Sequence, residues 1–326
     1  MQLSAGTESL DSLRAEWPAL LADQRARKVF RHPRWQALWL EQFGAGREPL
    51  YVAVREGRAL VGLATLLRDG DKISFLGDTN ICDYMDFLFL PGREREVVAA
   101  ILDWLKGEDW QEVEFWGLHA DSQTPSLLTS LAAERGLQAT LEPEAVCPQL
   151  DLPANWEEYL SSLSKKNRHE LRRKVRRMAA EAGEPRLEAL RAPAAVEAGM
   201  GEFLRLMTLN SEKAEFMTPE MDRFFRRMAA AMAEEGLVAL YRYEVEGKLV
   251  AATFAFEDEE ELLLYNSGFD PAYSYLSVGL LSKAACLHSA IESGKRRFDF
   301  LRGSEPYKYD LGGQDLAVCR CLVKRE

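Results

Sequence analysis

Cysteine is scarce and poorly placed for cross-linking: Cys82, Cys147, Cys286, Cys319 and Cys321 are an odd number in 326 residues and form no CxxC pair. That pattern argues for reduced thiols rather than a disulfide framework. The four histidines, His32, His119, His169 and His288, lie far apart and form no HExxH motif, so no metal site is expected. No run reaches the roughly 18 apolar residues of a spanning helix, and MQLSAGTESLDSL has neither the basic head nor the apolar stretch of an export signal. Both absences place the chain in the cytoplasm. GxxxxGK[ST], GxGxxG and GxSxG are also missing, which argues against a nucleotide hydrolase, a dinucleotide dehydrogenase and a serine hydrolase. With Gly 22 and Pro 13, the composition is neither collagen-like nor of low complexity.

What is present is ordinary globular material: 47% hydrophobic and 29% charged residues, with a mean hydropathy of -0.26, enough for one large core or two domains. A net charge of -11 argues against a surface that binds nucleic acid or anionic lipid as a whole. One segment runs the other way. Between Ser164 and Arg177 stand Lys165, Lys166, Arg168, Arg172, Arg173, Lys174, Arg176 and Arg177 against Glu170 alone. A solvated helix face and a site for an anionic ligand both fit this stripe.

Periodicity sets out the elements. Helical spacing covers about Leu10 to Ala22 and His32 to Phe43, and strands Leu50–Val54, Leu60–Leu67 and Ile73–Leu76 read as a meander around the turns Glu56-Gly57 and Asp69-Gly70-Asp71. A strand near Tyr84–Leu90, a helix Glu94–Lys106, a strand Val113–Trp116 and a helix Pro125–Arg135 follow. The second half repeats this grammar: Leu237–Tyr243, Leu249–Phe256 and Leu262–Tyr265, a long helix to about Ser293, and the strand Phe298–Leu301. Glu246-Gly247-Lys248 repeats Glu56-Gly57-Arg58. The expectation is therefore an α/β (α+β) chain of two similar lobes, 1–150 and 151–326, with mixed, mostly antiparallel sheets flanked by helices. A helical insertion at about 155–235 carries an apolar seam of Trp156, Tyr159, Leu160, Leu163, Leu171, Val175 and Met178, and a helix starting at Thr218-Pro219-Glu220.

Two stretches carry chemistry. The long helix opens at Ser277-Val278-Gly279-Leu280 directly after a strand and its loop, and a helix start with unpaired amides and no bulky side chain is suited to an anion. Close packing of small residues explains the glycine equally well. The second stretch, Arg302 to Tyr309, brings Glu305, Lys308 and Tyr309 together after a core strand. A carboxylate, an ammonium and a phenol this close together can move a proton or hold an anion.

This order of elements resembles the GCN5-related N-acetyltransferase (GNAT) superfamily, whose Q/R-x-x-G-x-G/A helix start holds the acetyl-CoA pyrophosphate. Ser274-Tyr275-Leu276-Ser277-Val278-Gly279 occupies that place here, with serines at the first and fourth positions. Three stretches, Trp156–Arg177, Gly268–Leu281 and Phe298–Gly313, resemble the cellulose-biosynthesis-associated, BioF2-like acetyltransferase group and, more distantly, the Fem-type aminoacyltransferases built from two GNAT-like halves. The resemblance implies an acyl-CoA-dependent N-acyltransferase that transfers acetyl directly to an amine, with Ser277, Val278, Gly279 and Leu280 at the donor and Glu305, Lys308 and Tyr309 at the reaction. It implies acetyl-CoA or another acyl-CoA as co-substrate without a metal, a small-molecule or saccharide amine as acceptor, and a degenerate first lobe that lacks the donor site. A Fem-type enzyme using aminoacyl-tRNA and a non-catalytic binding protein on the same scaffold are the rival readings.

Overall fold

The computed structural model describes residues 3–22 and 27–325. Two compact units divide the chain, Met1–Val146 with Leu316–Glu326, and Cys147–Asp315.

In the first unit, strands β1 (Leu3–Glu8), β2 (Glu48–Glu56), β3 (Ala59–Asp69) and β4 (Lys72–Phe75) run antiparallel in succession, and β5 (Leu88–Phe89) pairs with β3. Beyond β4 lies β6 (Glu112–His119), parallel to it. A parallel neighbour needs a crossover, which α3 (Glu94–Lys106) supplies. The helices α1 (Leu10–Leu13), α2 (Pro33–Phe43) and α4 (Thr124–Ala133) complete the unit. The expected helix over residues 10–22 is instead α1 plus a 3-10 turn, Trp17–Leu21, because Pro18 interrupts it. Of the strand expected at Tyr84–Leu90, only Leu88–Phe89 pairs.

The second unit repeats the scheme. The strand β7 (Leu137–Asp151) enters it at Cys147; after the insertion come β8 (Arg186–Leu190), β9 (Val238–Val245), β10 (Lys248–Glu257), β11 (Glu261–Phe269) and β12 (Arg297–Asp299). The four strands β8 to β11 are antiparallel neighbours, β11 and β12 are parallel, and β12 meets Gln149–Asp151 of β7 in antiparallel register. The insertion contributes α5 (Trp156–Ser162), α6 (Lys165–Ala182), α7 (Pro193–Met207), α8 (Ser211–Phe216) and α9 (Pro219–Glu234), and the crossover to β12 is α10 (Val278–Glu292). A short α11 (Pro306–Asp310) precedes the last strand, β13 (Gln314–Arg325).

The strand β13 runs antiparallel to β6, with Val318 opposite His119 and Val323 opposite Val113. The sequence expectation assigned these residues to the second lobe; Leu316–Glu326 instead belongs to the first unit, where β6 offers the strand its hydrogen-bonding edge. β1, β7 and β8 are strands for which no sequence signal was read.

The second core gathers Tyr159, Leu160, Leu171, Met178, Leu262, Leu264, Val278, Leu281, Leu287 and Phe298. Val175, expected in the same seam, is 47% exposed. The helix α9 begins as its sequence requires, with the Thr218 hydroxyl accepting the Met221 amide and Pro219 at the first helical position.

Candidate active site

The strands β11 and β12 pair only over Glu261–Leu263 and Arg297–Asp299. Beyond Leu263 they part. β11 continues to Phe269 against β10, with a bulge where the register passes from Leu264 to Asn266. After β12, Leu301 takes a left-handed conformation at φ 55, a costly state for a branched side chain. Asp299, fully buried, accepts the Leu301 amide at 2.7 Å and the Gln149 side chain at 2.7 Å. These bonds hold the chain at the point where the two strands diverge.

At the far end of β11, the 3-10 turn Pro271–Leu276 leads into α10. Ser277, at φ 58, is the N-cap, yet its side chain caps no amide, and the first turn of α10 holds no acidic residue. The Ser277 carbonyl accepts from Leu280 and Leu281, whereas the amides of Val278 and Gly279 meet no backbone carbonyl among the described residues. A cation stands beside this helix start: Lys174 Nζ is 3.3 Å from Ser277 Oγ. The basic segment therefore reaches the helix start through one residue, while Arg172, Arg173 and Arg177 form exposed pairs with Glu157, Glu170 and Glu181. Gly279 has a packing role of its own, since a Cβ there would lie 3.0 Å from the Phe269 ring.

The matching helix start in the first unit differs. There α3 opens with Glu94 and Glu96, and the Glu94 carboxylate already accepts the Gly92 amide at 3.1 Å. Two carboxylates of the chain itself therefore stand in the first turn of α3.

The Glu305–Tyr309 segment lies beside the parted strands. Lys308 is buried, and its ammonium donates to the carbonyls of Leu301, Arg302 and Gly303 at 2.9, 2.8 and 3.1 Å, with the Glu305 carboxylate at 3.0 Å. It fastens the loop after β12, and its hydrogens are spent there rather than offered to an oxyanion. Glu305 is exposed and committed to that ion pair. The Tyr309 hydroxyl donates to Asp315 at 2.6 Å, and this bond raises its pKa, opposing proton donation.

Two lysines that the sequence reading passed over complete the cluster. Lys283, inside α10, donates to the Gly279 carbonyl at 2.8 Å and lies 4.7 Å from the centre of the Tyr307 ring. Lys213, on α8, donates to Asn266 Oδ1 at 2.7 Å and to the Ser267 carbonyl at 2.6 Å on the part of β11 that β12 does not reach. Burial pulls both ammoniums down to about 8. Lys283 had a signal, as a lone charge in a buried helix; Lys213 had none, because α8 contains no fully buried residue.

Comparison with known proteins bears on the sequence and the fold. Residues 165–309 match the acetyltransferase (GNAT) domain family model. A conserved protein of unknown function from Bacteroides thetaiotaomicron VPI-5482 is 11% identical with a TM-score of 0.64, each chain covered over 100% of its length. FemX is 13% identical with a TM-score of 0.64, over 98% of this chain and 96% of that one. A tandem GNAT protein from the clavulanic acid biosynthesis pathway is 14% identical with a TM-score of 0.51, over 98% of each chain. These likenesses concern the fold. No curated protein matches by sequence. Residues 165–309, less than half of the chain, are thus similar to the acetyltransferase (GNAT) domain, and the solved structures share the fold of the whole chain.

Proposed function

We propose that the second unit transfers an acetyl group from acetyl-CoA directly to an amine. The observation that carries this reading is the start of α10, where the Val278 and Gly279 amides lack backbone partners and Lys174 stands at Ser277. Positive helix-end charge, two amides and an ammonium suit a diphosphate. Ser277 and Leu280 flank those amides, and Phe269 closes the side of Gly279 that faces β11. Where β11 and β12 part, backbone groups of residues 264–267 stand without a β12 partner, as a pantetheine arm laid between two strands requires. Lys308 positions the loop after β12, and the Glu305 carboxylate sits at its rim.

The first unit is a degenerate lobe in this reading, because Glu94 and Glu96 in the first turn of α3 repel an anionic donor. Amines of small molecules or saccharides are the proposed acceptors. The exposed Arg172, Arg173, Arg176 and Arg177 favour a second reading, in which the donor is an aminoacyl-tRNA.

Calorimetry separates the two. Acetyl-CoA is expected to bind the wild-type chain and to bind Gly279→Trp far more weakly, since that side chain fills the helix start and displaces Phe269. Tight tRNA binding without heat from millimolar acetyl-CoA would favour the second reading.

A further inference from the structure

The buried amines around the parted strands are not equivalent. Lys308 faces four acceptors, three carbonyls and a carboxylate, which is the environment of an ammonium. Lys213 faces two, Asn266 Oδ1 and the Ser267 carbonyl. A neutral amine has two hydrogens and one lone pair, so these acceptors use both hydrogens and leave the lone pair unengaged. Its location is equally specific. Both acceptors lie on β11 beyond Leu263, where β12 no longer pairs. Gly268 fixes the approach: a Cβ there would lie 2.3 Å from the Met207 amide nitrogen, so the end of α7 rests on β11 and directs α8 across it.

From this geometry we propose that Lys213 is the base of the reaction, taking the proton of the acceptor amine as that amine attacks the thioester carbonyl. The inference rests on the acetyl-CoA reading. The new bond joins the acceptor nitrogen to the acyl carbon, and the carbon–sulfur bond breaks. The nitrogen's proton passes to Lys213 Nζ, and the thiolate leaves and is protonated by solvent. Lys213 returns its proton to water before the next turnover.

The surrounding charges support the neutral form. Burial is the largest influence on Lys213, pulling it to about 8, and the ammonium of Lys308 adds to that pull while the Glu305 carboxylate opposes it. Lys283, with Cys286 and Tyr307 beside it, faces the cluster from α10 and is lowered in turn by Lys213. Glu212 and Glu215 are exposed on α8 itself. A base half-neutral near pH 8 is matched to an amine substrate.

The test combines three measurements on the full chain. Acetyl-CoA binding by calorimetry is expected to be the same for wild type, Lys213→Met and Lys213→Arg. Reductive methylation with labelled formaldehyde, followed by carbon NMR, is expected to show one resonance absent from Lys213→Arg that titrates near pH 8. Acetylation of a panel of primary amines by wild type is expected to rise through the same pH. Lys213→Met and Lys213→Arg should lose about 100-fold or more in kcat and lose that limb, while Glu305→Gln keeps it. A Lys213 resonance titrating with ordinary lysines, or a Lys213→Met chain with wild-type rate and pH profile, overturns this proposal alone. Failure of the wild type to bind acetyl-CoA overturns the donor reading and the proposal together. If no amine of the panel is acetylated, the NMR titration decides.

Discussion

Gly268 lies in β11 without any turn to explain it, and its requirement comes from the backbone of Leu206 and Met207 against it. Gly268→Ala must push α7 off the strand. Overpacking of this kind costs about 1–3 kcal/mol, and a lowered urea midpoint at unchanged slope would register it. Lys308 makes a comparable case from the polar side. Lys308→Met leaves the carbonyls of residues 301–303 without their donor, which costs about 1–3 kcal/mol per unsatisfied buried group. A fall in melting temperature, with faster amide exchange at Leu301 and Gly303, is the expected result; unchanged exchange would show that the ammonium does not hold the loop. The sequence brought Glu305, Lys308 and Tyr309 to notice through residue types and spacing. It did not show that Lys308 points inward to three carbonyls, because a hydrogen-bond partner five to seven residues away depends on the path of the loop.

Among the elements, the basic helix α6 has the most varied surface. Arg172, Arg173 and Arg177 are exposed and paired along the helix or with Glu157, contacts worth little in water. Lys174 differs by position, since its ammonium reaches Ser277. Lys174→Met is expected to weaken acetyl-CoA binding about tenfold, as for loss of one hydrogen bond to a charged group. The gap from wild type should narrow as salt is raised. Arg176→Met, on the exposed face, should leave the affinity unchanged. Helix α10 was legible from its apolar run and small residues, and α9 from its capping sequence, because both signals are local. β8 was not, since Arg186–Leu190 is a single short run whose strand pairing comes from β9, more than 45 positions away.

For the whole molecule, two features decide how stability responds to conditions. The ion group Glu8–Arg55–Glu16 ties β1 to β2, with Arg55 within 2.6 Å of Glu8 and 2.9 Å of Glu16. Hydrogen bonds to Arg55 hold both carboxylates below the ordinary value of 4.5. Their folded-state pKa values are depressed, so the stability they add is present above pH 4.5 and is lost as the pH falls through the folded values. Arg55→Met should therefore lower the melting temperature at pH 7 and make less difference at pH 3. The second feature is β13. A chain ending at Asp315 leaves the β6 edge without its partner, and the first unit is expected to lose cooperative unfolding, as read from tryptophan fluorescence.

Local patterns settled the meanders, the crossover helices, the small-residue helix start and the basic stripe, because turn residues, capping side chains and apolar spacing act within a few residues. They also carried the resemblance on which the acyltransferase expectation rested. Long-range pairing decided the rest: which strand completes each sheet, where β11 and β12 part, and which of several lysines stand around that opening. Burial and hydrogen-bond partners set the state of an amine, and those are contributed by residues far away in the chain. Lys213 and Asn266, separated by 53 positions, meet only when α7 lies down on Gly268.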